Sequence, residues 1–141
     1  MKTKLTVIIL ALIFSVFAMI ISVISLVSTN NGYDSNDCYT LYIGTSDKDT
    51  AKPEIQIEEA QKIVADIAYK YSDGFTSFIA TGGWIDEGVR YDETTLVYVF
   101  IGIDKASAEA IADEVCVALN QSSVLIEYSK TYSTYYNKGD F

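Results

Sequence analysis

From residue 5 to residue 27 the chain carries no charge, and its apolar run is interrupted only by Thr6, Ser15, Ser22 and Ser25. As an α-helix rising 1.5 Å per residue that stretch would reach roughly 34 Å, enough for a hydrocarbon core of roughly 30 Å. Lys2 and Lys4 precede it while Asp34 and Asp37 follow. Basic residues stay on the cytoplasmic side, so the pattern predicts a single-pass anchor in the cell membrane with its N-terminus inside and the rest of the chain outside. A cleaved signal peptide is the rival reading. Its apolar region is normally about 7–15 residues long and ends in a small-x-small site, whereas here the run is longer and Val23 with Ser25 makes a poor site. The expected organisation is a transmembrane signal-anchor helix over 1–28, a polar linker with a turn at Asn31 and Gly32 over 29–37, and one extracytoplasmic domain over 38–141.

Beyond the linker the periodicity changes to that of a folded domain. Residues 39–45 alternate, with Tyr39, Leu41 and Ile43 on one face and Thr40, Tyr42 and Gly44 on the other, which predicts a half-buried strand. Between 57 and 71, Ala60, Ile63, Val64, Ile67, Ala68 and Tyr71 recur at helical spacing behind the acidic start Glu58–Glu59, which predicts an amphipathic helix. Asp73 and Gly74 stop it. Residues 75–85 and 94–103 read as a hairpin around the charged turn Asp86, Glu87, Gly88. Ser107 is the expected N-cap of a second helix that buries Ala108, Ile111, Ala112, Val115, Ala118 and Leu119. A last strand is expected over 124–128, followed by a tail rich in tyrosine. Strand, helix, strand, strand, helix, strand is the order of an α+β, ferredoxin-like βαββαβ sandwich: a four-stranded antiparallel sheet with two helices on one face.

Composition narrows the chemistry more than it defines it. About 110 residues outside the anchor make one small domain. With Lys2 and Lys4 set aside, eight basic residues face nineteen acidic ones, a formal charge of −11 that should repel nucleic acid. There is no histidine, so the commonest general base and metal ligand is missing. Cys38 and Cys116 have no zinc or redox spacing, and the topology separates them, so both are expected as free thiols.

An aromatic first strand ending in glycine, Tyr39 to Gly44, is followed by Asp73, Gly74, Phe75 and Thr76 entering the second strand, then Trp84, then Ser123, Val124 and Leu125. In these motifs the chain resembles an uncharacterised bacterial family of small exported, lipoprotein or membrane-anchored proteins. The resemblance implies an exported location and a ferredoxin-like fold, and it brings no catalytic residues.

No constellation of residues specifies a reaction. The acids Asp86, Glu87, Asp92 and Glu93 around Gly88 lack EF-hand spacing and read as a solvated hairpin tip, and Gly82 and Gly83 read as a bulge or close backbone contact. No catalytic, metal or cofactor site is therefore expected. The strand 94–103 is apolar on both faces, with Leu96, Tyr98 and Phe100 on one and Val97, Val99 and Ile101 on the other. Helices cover only one face, so the second asks for a cover: the tail, a second copy of the domain, or a ligand. Tyr42, Trp84, Val97, Val99 and Ile101 are the candidate interaction surface. The expected function is a membrane-tethered extracytoplasmic binding or interaction domain whose partners are the bilayer and a second copy through the open face. The alternatives are a small extracytoplasmic enzyme and a structural oligomerisation module.

Overall fold

The computed structural model describes residues 13–19, 21–22 and 33–139. The chain divides into two units, and the larger, Ser35–Ser133, holds the sheet. In the other unit, residues 13–19 and 21–22 are helical. The anchor expected over 1–28 lies largely outside the described residues, among which no helix is long and apolar enough to cross a membrane.

The domain is α+β, with elements β1 (Asp34–Gly44), α1 (Ile57–Ala68), β2 (Thr76–Asp86), β3 (Val89–Ile101), α2 (Lys105–Ala118) and β4 (Leu125–Ser133). They form a four-stranded antiparallel sheet in the order β2-β3-β1-β4. Alternation decides which side chains point where. Tyr39, Leu41 and Ile43 of β1 and Leu96, Tyr98 and Phe100 of β3 enter one buried cluster with Ala60, Val64 and Ile67 of α1 and Ala108, Ile111 and Val115 of α2. The helices therefore lie on that face, and the tyrosine hydroxyl buried beneath them is not orphaned: Tyr98 donates to the Gln61 carbonyl at 3.0 Å.

Element bounds differ from the sequence expectation where a local contact outweighs the pattern. β1 begins at Asp34, inside the expected linker. α1 stops at Ala68, three residues early, and the amides of Tyr69, Lys70 and Tyr71 close a turn on Ala65, Ile67 and Ala68. α2 is capped by Asp104 rather than Ser107. The Asp104 carboxylate accepts the Ser107 N–H at 2.8 Å, so Ser107 supplies the amide instead of the cap. β4 runs on to Ser133 and takes Tyr132 into the strand. Cys38 and Cys116 are free thiols, as expected.

The β2–β3 hairpin is longer than its partner strand. Its turn places Glu87 (φ 46°) and Gly88 (φ 82°) in the left-handed region, the geometry of a two-residue hairpin turn. β1 pairs with β3 only from Cys38–Ile101 to Gly44–Thr95. The register from Thr81–Thr94 to Asp86–Val89 continues past that point as a two-stranded arm. At the point of divergence the Glu93 carboxylate accepts the amides of Thr45 and Ser46, both at 3.2 Å. That carboxylate lies over Gly44, where a Cβ would come within 2.6 Å of Glu93 Oε1.

Truncation separates the two faces of β3. Phe100→Ala should cost about 3–5 kcal/mol by emptying the cluster under the helices. Ile101→Ala, its half-exposed neighbour on the opposite face, should cost only about 0.5 kcal/mol. Urea denaturation of both variants measures the difference, and equal costs would refute the assignment of the faces.

Candidate active site

β1 and β4 are neighbours in the sheet, and their alternation turns Asp37 and Tyr39 of one and Ile126, Tyr128 and Lys130 of the other toward the helix side. The first turns of α2 add Lys105, Ala108 and Glu109. Together Tyr39, Lys105, Ala108, Glu109, Ile126 and Tyr128 line a cavity of about 380 Å³, within the range of small-molecule sites. Its wall is aromatic: the rings of Tyr39 and Tyr128 stand 5.2 Å apart at 44°. Ala108 and Ile126 supply apolar surface, and Lys105 and Glu109, one helical turn apart, form an ion pair at 3.1 Å.

Tyr128 links the cavity to a charged network. Its hydroxyl donates to Asp37 Oδ1 at 2.9 Å, and Lys130 Nζ lies 2.6 Å from the same oxygen. The Lys130 hydrogen bond, followed by that from Tyr128, holds the Asp37 carboxyl below the ordinary carboxylate value. The same contact raises Tyr128, because ionising the phenol would place a second negative charge on the shared hydrogen bond. Asp37 is thus a fixed anion that orients a neutral tyrosine at the cavity edge. It is poorly suited to take a proton, since two donors stabilise its charged form.

A wider, more open hollow of about 590 Å³ runs between the helices, lined by Ile63, Ile67, Val117 and Ala118 with Asp66, Lys70, Asp113 and Glu114. Glu114 accepts from Lys70 and Tyr71, both at 2.5 Å, beside it. It repeats the carboxylate, tyrosine and lysine grouping, but without an aromatic wall.

The candidate surface predicted from sequence lies elsewhere. Tyr42, Val97, Val99, Ile101 and Trp84 all occupy the face away from the helices, by the register of β1, β2 and β3. Only part of that surface is gathered. Val97 pairs with Tyr42 on one side and Phe78 on the other and is 1% exposed. Tyr42 and Phe78 flank it on its own face. Tyr42 donates to Glu127 at 2.8 Å. Trp84 pairs with Tyr91, six positions along β3 from Val97, a separation of roughly 20 Å. It stacks on Tyr91 with centroids 5.2 Å apart. Among the described residues no group of Cys, Asp and Glu gathers as a metal set. Near the hairpin tip Asp92 pairs with Arg90 at 2.8 Å and Glu93 turns back to β1.

Sequence reasoning missed the cavity residues because it gave the last strand only as 124–128 and assigned no facing to Ile126, Tyr128 or Lys130. The facing of Tyr39 was visible from the alternation of β1, but that of Tyr128 was not.

No protein-family profile matches the chain, and no curated protein matches it. Among solved structures the fold is similar to a phage SAM lyase. Its apo form gives a TM-score of 0.53 at 16% identity over 73% of this chain and 94% of that one. Its complex with S-methyl-5'-thioadenosine gives 0.52 at 14% identity over 72% and 93%. At these identities the likeness is one of fold. It corrects the expected function: the reading as a membrane-tethered binding or interaction domain rested on the lack of a recognisable catalytic constellation, with a small enzyme as its alternative, and the neighbours similar in fold are an enzyme.

The Asp37 network has a pH signature. Because the folded carboxyl titrates below the unfolded one, its contribution to stability is complete above the ordinary carboxylate value and is lost as pH falls through the depressed folded value. In a carbon-detected titration the Asp37 midpoint should therefore lie below that of an unperturbed aspartate, and Lys130→Met should move it up. Asp37→Asn should weaken the loss of stability that sets in as pH falls from the ordinary carboxylate value through the depressed folded one. An Asp37 midpoint unchanged by Lys130→Met would remove the network.

Proposed function

We propose that the domain is a small enzyme acting on a sulfonium nucleoside of the S-adenosylmethionine type. The observation that supports this most is the cavity between β1, β4 and the start of α2, on a fold similar to that of a phage SAM lyase over more than nine-tenths of the lyase chain. We read that fold as ferredoxin-like, on the strand order β2-β3-β1-β4 with both helices on one face.

The chemistry suits the lining. Breaking the bond between sulfur and the amino-acid side chain sends both bonding electrons to sulfur, so the cationic sulfonium leaves as the neutral thioether S-methyl-5'-thioadenosine. The four-carbon fragment balances this by bonding its own carboxylate oxygen to the carbon that sulfur left. Two opposite charges vanish, and a cavity with apolar surface favours that over water. The route asks no protein group to accept a proton, in keeping with an Asp37 held ionised and a Glu109 tied to Lys105. Tyr39 and Tyr128 offer ring faces to a purine. Lys105 and Glu109 can exchange partners with the carboxylate and ammonium of an amino-acid moiety.

The location proposal rests on residues 1–28: an anchor with Lys2 and Lys4 inside and the domain outside. Full-length protein should stay with the membrane through carbonate washing, and protease added outside cells without an outer membrane should digest the domain. Recovery of a soluble form beginning near Ser28 would remove the anchor.

For the activity, detergent-solubilised full-length protein incubated with S-adenosylmethionine should release S-methyl-5'-thioadenosine, read by chromatography. The double variant Lys105→Ala/Glu109→Ala should slow release by roughly a hundredfold through lost orientation. No release by the wild type, or release unchanged in the double variant, would overturn the assignment.

A further inference from the structure

β1 begins at Asp34 and β4 ends at Ser133, and the two strand ends lie together: Asn36 Nδ2 donates to Ser133 Oγ at 3.0 Å. The chain therefore enters and leaves the sheet at one end. The start of α2 belongs to the same end, since the Gly102 N–H donates to the Asp37 carbonyl at 2.8 Å and Cys38 pairs with Ile101. The β2–β3 turn is at the other end, because β3 runs twelve steps from Val89 to Ile101, roughly 40 Å at about 3.3 Å each. Just outside the two strand ends stand Tyr33, 52% exposed, Tyr135, 93%, and Tyr136, 71%. Chain continuity holds each within three residues of a strand end, roughly 11 Å at most. The segments 28–33 and 134–141 carry Lys138 and Asp140 and no other charged side chain, whereas the domain as a whole has a formal charge of −11.

We propose that Tyr33, Tyr135 and Tyr136 are an interfacial foot that rests on the headgroup layer of the bilayer, on a zwitterionic lipid surface. This rests on the proposed anchor over 1–28 and adds a second contact of the chain with the same membrane. Tether length argues for this occupant. The apolar run ends at Val27, seven steps before Asp34, so the strand ends stay within roughly 25 Å of the end of that run. Tyrosine suits that depth, with its ring toward the acyl boundary and its hydroxyl among the headgroups. The domain does not take the rings up itself, as their exposure shows. Charge argues the same way: the acidic surface is repelled by lipid phosphates, and the two neutral segments are the part that approaches them without cost. The foot fixes which end of the sheet is close to lipid. Lys105, on the cavity rim four residues past Ile101, lies at the membrane-proximal end, and the hairpin tip stands farthest from it.

The test uses full-length protein carrying Cys38→Ser and Cys116→Ser, reconstituted in phosphatidylcholine vesicles and spin-labelled in turn at Thr134→Cys and Glu87→Cys, both exposed positions. The label at 134 should lose most of its collisions with a water-soluble nickel chelate while keeping those with oxygen, which dissolves in lipid. The label at 87 should collide freely with the chelate. Adding Tyr33→Ser/Tyr135→Ser/Tyr136→Ser should restore most of the chelate collisions at 134 with an unchanged circular dichroism spectrum, since side chains so exposed carry little of the fold. A label at 134 as open to the chelate as that at 87, or one still protected after the three serine substitutions, overturns the foot while the anchor stands. Protein that leaves the vesicles in carbonate overturns the anchor and the foot with it.

Discussion

Seven residues of β1 from Cys38 to Gly44 lie opposite Ile101 to Thr95 of β3, and this antiparallel register decides what reaches the helices. It sends Tyr39, Leu41 and Ile43 to the same side as Leu96, Tyr98 and Phe100, where α1 and α2 close over them. A slip of one residue would exchange every side chain between the faces and bring Val97 and Val99 under the helices in place of two aromatic rings. The register also sets the cavity, because the parity that buries Tyr39 holds Asp37 on the same side, within reach of Tyr128 and Lys130. Core and candidate site are thus two outcomes of a single strand pairing.

The cavity is an arrangement of edges rather than of the middle of the sheet. Its aromatic wall is shared between an interior strand and an edge strand, and its charged rim comes from the first turns of a helix. Asp37 anchors the rim from the strand side, with its charge already matched by Lys130. What remains exchangeable is the Lys105–Glu109 pair, whose side chains are more than half exposed and which therefore contributes little to stability.

Much of this architecture was legible in the sequence, because the hydrophobic period is strong where burial is one-sided. The alternation of 39–45 and the helical spacing of Ala60, Ile63, Val64 and Ile67 led directly to β1 and α1. The ends were less legible, since they turn on single polar contacts. Asp104 outcompetes Ser107 as a cap because it stands one residue before the helix with its carboxylate free to accept. Residues 89–93 were read as part of a charged turn, yet they belong to β3: a ribbon solvated on both sides has no buried face to impose a period on its sequence. The open face was legible only in part. Val97 is apolar and points away from the helices, but Tyr42 and Phe78 flank it closely enough to exclude water. Val97 alone is buried in this way, while Val99 is half-buried and Ile101 half-exposed on the same face. The cavity was hidden because the last strand was read only over 124–128, without a facing for Ile126, Tyr128 or Lys130, although the expected fold already sets it beside β1.

Glu93 bears on how this domain can change in size. By taking the amides of Thr45 and Ser46 it ends β1, so the ribbon beyond has no third strand to keep in step with. Residues added or removed in matched pairs, one on each side of Glu87 and Gly88, would lengthen or shorten the ribbon while leaving the rest of the sheet in register. A single insertion on one side would instead have to be absorbed as a bulge or would exchange the faces of Trp84 and Ile85. The tip of this hairpin is therefore the part of the domain where length can drift in descendants of the chain without reaching the core, provided it drifts two residues at a time.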